Sequence, residues 1–160
     1  MQVDSNHTQV EFSAKHFGMM TVRGYFREFA ATGDIDPAHP ENSLLEVRIE
    51  VGSLTTNNPD RDEHLRSSDF LAVERYPTIT FRSRNIQRVD RDRHLMTGDL
   101  TIKGITRSVT LNMQRYGEIN YERLGHRVAF NVEGQINRKD FGMEFDMRAD
   151  NRLVVSHEMV

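Results

Sequence analysis

The seven histidines, at positions 7, 16, 39, 64, 94, 126 and 157, are the side chains best suited to acid–base or metal chemistry. No two of them stand four residues apart, and there is no H-E-x-x-H, the arrangement that puts two imidazoles on one helix face. Asp60, Asp62 and His64 offer oxygen and nitrogen ligands on a loop, but on a helix positions i and i+2 point apart. No metal and no other cofactor is therefore expected. The 160 residues include no cysteine, which removes thiolate nucleophiles, disulfides and Cys-ligated metals. There is no G-x-S-x-G elbow, no G-x-G-x-x-G and no phosphate-binding loop. Arg82, Arg84, Arg88, Arg91 and Arg93 form one basic cluster. Asp90 and Asp92 interrupt it and no aromatics interleave, so it reads as a solvated hairpin. With a net charge of −3, nothing in the composition points to nucleic acid.

What remains is the apolar pattern. Hydrophobic residues make up 37% of the chain and charged residues 28%, the balance of a soluble globular protein. No stretch approaches the ~18 apolar residues of a membrane-spanning helix, so no stable membrane insertion is expected. Met1-Gln2-Val3-Asp4 has neither the basic region nor the apolar run of a signal peptide. A cytoplasmic protein is expected if Met1 is the natural start, and a periplasmic or secreted one if a leader was removed.

Alternation with period two, the mark of strands with one wet face, recurs along the chain. Leu45, Val47, Ile49 and Val51 alternate with Glu46, Arg48 and Glu50. Ile79 and Phe81, Leu100 and Ile102, then Val109, Leu111 and Met113 repeat the pattern. Val128, Phe130, Val132 and Ile136 follow, and Leu153 and Val155 continue it less cleanly. Val10 and Phe12 open the chain, followed by a stretch from Thr21 to Phe29. Val89–Arg93 reads as a charged hairpin tip, Lys103–Thr106 as a second turn, and Gly117 to Gly125 as a third. The two prolines of Asp36–Pro40 forbid regular pairing and mark a loop.

One segment breaks the pattern. Asn58 is placed as an N-cap, Pro59 at the first helical position, and acids occupy the first turn. Ser68-Asp69-Phe70-Leu71 reads as a second helix start, and Tyr76-Pro77 as the stop. The expected fold is an all-β, eight-stranded antiparallel barrel with one short helical excursion near residues 58–75. Such a barrel is either filled by its own side chains or holds one small ligand; alternation fits both.

Several stretches carry a resemblance that covers almost the whole chain. They are Val3-Asp4-Ser5-Asn6-His7, Val10–His16, Val22–Phe26, Arg61–Phe70 running on to Tyr76–Phe81, Gly98–Arg107 and Ile136–Gly142. In this order and spacing the chain resembles the YceI-like family of bacterial lipid-binding proteins. It departs from them at Gln2, where members usually carry an aromatic, and in lacking a signal peptide. The resemblance implies an extended lipocalin-like barrel in one domain spanning 1–160. It also implies a polyisoprenoid, isoprenoid quinone or long-chain fatty amide along the axis, and homodimers.

The ligand-lining residues expected on this reading are Phe12, His16, Met20, Phe26, Val47, Ile49, Phe70, Phe81, Leu100, Ile102, Leu111, Phe130, Ile136 and Phe141. Met19 and Met20 are candidates for a mouth, and Met96, Met113, Met143 and Met147 for adaptable filling. His16 is placed to bond a head group or the backbone. Arg61, Asp62 and His64 form either a polar cap at a barrel end or a set that pins the helix, and Asn137–Asp140 has the same ambiguity. A non-catalytic lipid carrier is the leading expectation. The rivals are an isomerase or hydrolase using His16 or His64 as general base, and a solid-core interaction barrel.

Overall fold

A computed structural model describes residues 3–16, 19–123, 125–145, 148–149, 152–153 and 155–159. In chain order the strands are β1 (Val10–His16), β2 (Met20–Phe26), β3 (Phe29–Asp34), β4 (Leu44–Glu50), β5 (Leu54–Thr55), β6 (Thr78–Arg88), β7 (Arg93–Ile102), β8 (Ile105–Tyr121), β9 (Gly125–Glu133), β10 (Ile136–Asn137), β11 (Arg148–Ala149), β12 (Arg152–Leu153) and β13 (Val155–Met159). One α-helix, α1 (Pro59–Arg66), lies between β5 and β6.

These segments reduce to eight spans. β2 and β3 are one strand bent at Arg27-Glu28, and β4 and β5 are its partner, bent at residues 51–53. Phe26 pairs with Leu54, the Arg27 N–H donates to the Ser53 carbonyl at 3.2 Å, the Glu50 N–H donates to Glu28 at 3.0 Å, and Phe29 pairs with Ile49. The antiparallel ladder thus continues through the corner. β9 and β10 are likewise consecutive, with only Gly134 and Gln135 between them, and they pair with β8 and β13 in turn. The order β13, β1, β2–β3, β4–β5, β6, β7, β8, β9–β10 and back to β13 is a closed antiparallel ring. β11 and β12 form a separate short ribbon.

Local chemistry explains the turns. Ile102 pairs with Ile105 across Lys103-Gly104, both at positive φ, the turn whose twist matches a hairpin and in which glycine carries no steric penalty. At the charged tip, the Asp90 carboxylate accepts from the Asp92 and Arg93 N–H groups and from Arg93 Nε at 2.7 Å. Arg82 pairs with Glu46 and Arg84 with Asp99 across strands, and Arg93 pairs with Asp90 at the tip, so three of the five clustered arginines are in ion pairs.

Two expectations are corrected. The stretch from Gly117 is not a turn: β8 continues to Tyr121, absorbing an extra residue in a bulge at Tyr116, and pairing with β9 reaches Tyr121 and Gly125. Residues 68–71 do not start a second helix, so the excursion holds eight helical residues followed by turns. α1 ends at Arg66, where Ser67 takes extended backbone and its N–H donates to the His64 carbonyl; Ala72, at φ +48°, lies in the turns that follow, its N–H donating to Ser67.

Asn58 caps α1, accepting from the Arg61 N–H at 3.1 Å, with Pro59 at the first position. Such a short helix needs tertiary support, and Asp62 supplies it. Buried, it accepts from the Thr56 N–H at 2.8 Å and the Thr56 hydroxyl at 2.5 Å, while Arg61 donates to the same hydroxyl and to the Thr56 carbonyl. Asp62→Ala strands the Thr56 donors in the interior. It should lower unfolding free energy by about 2–4 kcal/mol, read as a drop in urea midpoint at unchanged m-value.

Candidate functional site

The inward rows of the barrel differ in how fully they are covered. On β6 and β7, Ile79, Phe81, Ser83, Ile86, His94, Met96, Gly98 and Ile102 are buried, and Met113 on β8 joins them. This side is close-packed: a Cβ on Gly98 would stand 2.6 Å from the Phe81 ring. Elsewhere on the ring Gly24, Phe26 and Ile49 are also buried, and the remaining inward residues are only half-buried. They are Val10 and Phe12 on β1, Phe29, Ala31 and Gly33 on β3, Leu45 and Val47 on β4, Leu100 on β7, Val109 and Leu111 on β8, Phe130 on β9, and Ile136 on β10.

Side-chain size explains the difference in part. Ala31 faces inward beside its partner Val47, and Gly33 beside Leu45, so β3 adds little bulk. Apolar residues on the concave face of a closed ring that still expose surface line a lumen. Val47, Leu100 and Val109 touch both buried clusters, one around Phe26, Ile79, Ile102 and Phe141, the other around Phe81, Ile86, Met96 and Met113. The apolar lining is therefore continuous between them.

Two features bound this lumen. The segment before β1 packs on β3 and reaches β9, where Asp4 pairs with Arg127 at 3.1 Å. Asp4 also accepts from His7 at 3.0 Å, and that bond, with the Asn6 N–H and the Arg127 charge, holds its carboxyl below the usual range. On the other side the β8–β9 ladder starts at Asn112–Glu133, and below it β10 diverts to β13. A cleft of about 310 Å³ opens there between Arg107–Thr110 of β8 and Gln135, Ile136, Asn137, Asp140 and Phe141. Val109, Ile136 and Phe141 belong both to this cleft and to the apolar cluster around Phe26, so the cleft borders the apolar interior.

The residues expected to line a ligand are placed as follows. Val47, Leu100, Leu111, Phe130, Phe12 and Ile136 are the half-buried inward residues. Phe26, Ile49, Phe70, Phe81, Ile102 and Phe141 are buried in the two clusters. Phe12 and Phe26 are in contact, with centroids 5.5 Å apart. Met20 on β2 is 59% exposed and Met19 is 74% exposed, whereas Met96, Met113 and Met143 are buried. The backbone of His16 ends β1; its side chain, and Met147, lie outside the described residues.

The polar candidates of the excursion pin it down. Arg61 and Asp62 bind Thr56, and His64 bonds Asp69 at 2.9 Å with its ring edge-on to Phe70 and Phe145. In Asn137–Asp140, Asn137 caps a short 3-10 turn. Arg138 in that turn is fully buried, donating to the Met143 carbonyl at 2.5 Å above the Phe70 ring.

Sequence reasoning passed over two inward polar groups. His94 follows Met96 and Gly98 on the inward row of β7 and is 2% exposed. Arg115 continues the row Val109, Leu111, Met113 and pairs with Phe130. Period-two counting from Met96 and Met113 would have found both.

An eight-spanned antiparallel barrel with an apolar interior belongs to the class of small barrels that are either filled by their own side chains or hold one small ligand. Comparison with known proteins narrows this. The family profile of the YceI-like domain matches residues 1–159. The chain is 37% identical over 160 residues to Protein YceI of Escherichia coli O157:H7, covering 98% of this chain and 83% of that one. The crystal structure of the Campylobacter jejuni YceI protein matches with a TM-score of 0.74 at 34% identity, covering 89% and 83% of the two chains. A polyisoprenoid-binding domain from Saccharophagus degradans shares the fold at TM-score 0.66 and 16% identity, over 99% and 91%. The protein belongs to the YceI-like family.

The contrast between the two sides of the interior is testable by overfilling. Met96→Phe crowds a packed wall and should destabilise by about 1–3 kcal/mol. Val47→Phe enters open space and should leave the thermal midpoint unchanged or raised. Thermal unfolding of both variants checks the asymmetry.

Proposed function

We propose that this protein binds a long amphipathic lipid, its chain lying along the half-buried inward face, and carries it without covalent chemistry. The observation that supports this most is the inner wall formed by Ala31, Leu45, Val47, Val109, Leu111 and Phe130, whose apolar residues pack beside the Phe81–Met96 cluster yet stay only half-buried. A core built only for stability would be packed to the density of Met96 and Phe81 all round. The lumen is lined by carbon, and its nearest polar groups lie toward one end. Such a wall rewards apolar length: each CH₂ moved from water into it contributes about 0.8 kcal/mol. A polyisoprenoid, an isoprenoid quinone or a long-chain amide fits that requirement. The family, and the polyisoprenoid-binding domain that shares the fold, support the same class.

The conformations of His64, Arg61 and Asp62 favour binding over catalysis. Each is engaged with Asp69 or Thr56 in holding the excursion. The lateral cleft suits entry of a flexible chain, because Val109 and Ile136 lead from it to the interior.

Native mass spectrometry of the purified protein, followed by organic extraction, tests the proposal. The expected result is a stoichiometric long-chain adduct, or uptake of polyprenol or quinone when offered. A ligand-free protein that takes up neither would overturn it.

A further inference from the structure

The two ends of the barrel present different chemistry to solvent. The span that begins at Met20 runs through β2 and β3 to Asp34, which pairs with Leu44, and β6 continues past that level to the tip at Val89–Arg93. That tip is charged, with Arg93 paired to Asp90. The β1–β2 hairpin stands at the opposite end and carries thioethers. Met20, opposite His16, is exposed, and Met19 in the turn is the most exposed large apolar side chain among the described residues. Met20 also continues the row Phe26, Gly24 and Val22 of β2, whose partners on β1 are Val10, Phe12 and Ala14. No polar side chain interrupts that row between the Phe26 cluster and the tip. The lateral cleft lies at the same end: Ile136, which lines it, pairs with Met159 of β13, and Met159 pairs with Ala14.

Charge distinguishes this hairpin further. Lys15 and Arg23 are both exposed behind the methionines, Lys15 donating to the Thr21 hydroxyl at 2.8 Å. Among the described residues neither has a carboxylate partner, whereas Arg82, Arg84 and Arg93 each have one. Glu11, the one acid in β1 and β2, pairs with Tyr25 at the base of the hairpin. Apolar side chains at a tip with unpaired cations behind them match the layers of an anionic bilayer surface, where carbon enters the head-group region and cations remain among phosphates. A second copy of the same hairpin would instead bring four cations together with no carboxylate to meet them.

We propose that the β1–β2 hairpin docks the barrel on an anionic lipid bilayer, Met19 and Met20 entering the head-group region and Lys15 and Arg23 facing lipid phosphates. The inference rests on the lipid-carrying function proposed above, since a bilayer is the phase that donates or accepts a water-insoluble chain. Docking in this way brings the cleft toward the membrane and leaves the charged tip in water. Two side chains touch a bilayer without spanning it, so the contact is reversible.

The chain has no tryptophan, so Met19→Trp and Val89→Trp each place a single fluorescent reporter at one end. With vesicles of phosphatidylcholine and phosphatidylglycerol, emission of Met19→Trp should shift to the blue and that of Val89→Trp should not. Phosphatidylcholine alone should give a weaker shift, and high salt should reduce the response to anionic vesicles. In co-sedimentation, the pair Met19→Asp with Met20→Asp and the pair Lys15→Glu with Arg23→Glu should each bind anionic vesicles at least about tenfold more weakly than wild type. Both pairs change exposed side chains, so the thermal midpoint and uptake of polyprenol from detergent should stay at wild-type values, while polyprenol transfer between vesicles slows. Wild type that does not sediment with anionic vesicles, or tip variants that sediment as well as wild type, would overturn docking and leave the lipid-carrying function intact. Self-association that is lost in the methionine variants with vesicle binding unchanged would give the tip to a second copy and overturn docking as well. Vesicle binding and the blue shift without any polyprenol uptake would uphold the docking surface and overturn the carrier function.

Discussion

A β-barrel must satisfy its backbone hydrogen bonds around a complete ring, and every other feature of this protein depends on that closure. Two bent spans make it possible. The β2–β3 and β4–β5 ladder turns its corner without losing register, because Arg27 and Glu50 donate across the bend. Gly134-Gln135 lets one strand leave β8 and join β13. The same departure parts β8 from its neighbour over Arg107–Thr110 and leaves the lateral cleft. Ring closure and the lateral cleft are therefore two consequences of one strand changing partners.

Once closed, the ring encloses space that its side chains fill unevenly. β6 and β7 present long residues that interlock, and β3 presents Ala31 and Gly33. Close packing on one side gives the barrel its rigidity. The half-buried side exposes apolar surface, which costs stability in the free protein; under the proposed function a bound lipid chain would recover it. The proposed function thus assigns stability and binding to different arcs of the barrel. The excursion at 56–77 belongs to the stability arc. Asp62, Arg61, His64 and the buried Arg138 hold Phe70 against the Phe141 cluster.

Much of this was readable from the residues because the barrel writes its inside and outside as alternation. Val47 and Ile49, Phe81, Leu111 and Phe130 fall on the inward face as the pattern places them. The Asn58-Pro59 start of α1 was legible because capping is local chemistry. The stop of the helix was not, since Ser67, which ends it in extended backbone, carries neither a Gly nor a Pro signal. Gly117 misled because a glycine in a long bulged strand looks like a glycine in a turn. Covered and half-covered inward residues cannot be separated by period-two counting, since coverage depends on what other strands place opposite. His94 was lost for a related reason: a histidine breaks an apolar row, and only register shows that it completes one.

The central claim is that the half-buried arc is where a lipid chain lies. Methyl-resolved NMR during titration with a polyprenol tests it most directly. The methyl signals of Leu45, Val47, Val109 and Leu111 should shift strongly and saturate, while Ile86 and Ile79 on the packed side move little. Shifts spread evenly over both arcs, confined to exposed methyls such as those of Leu44, or absent at saturating lipid would contradict the account.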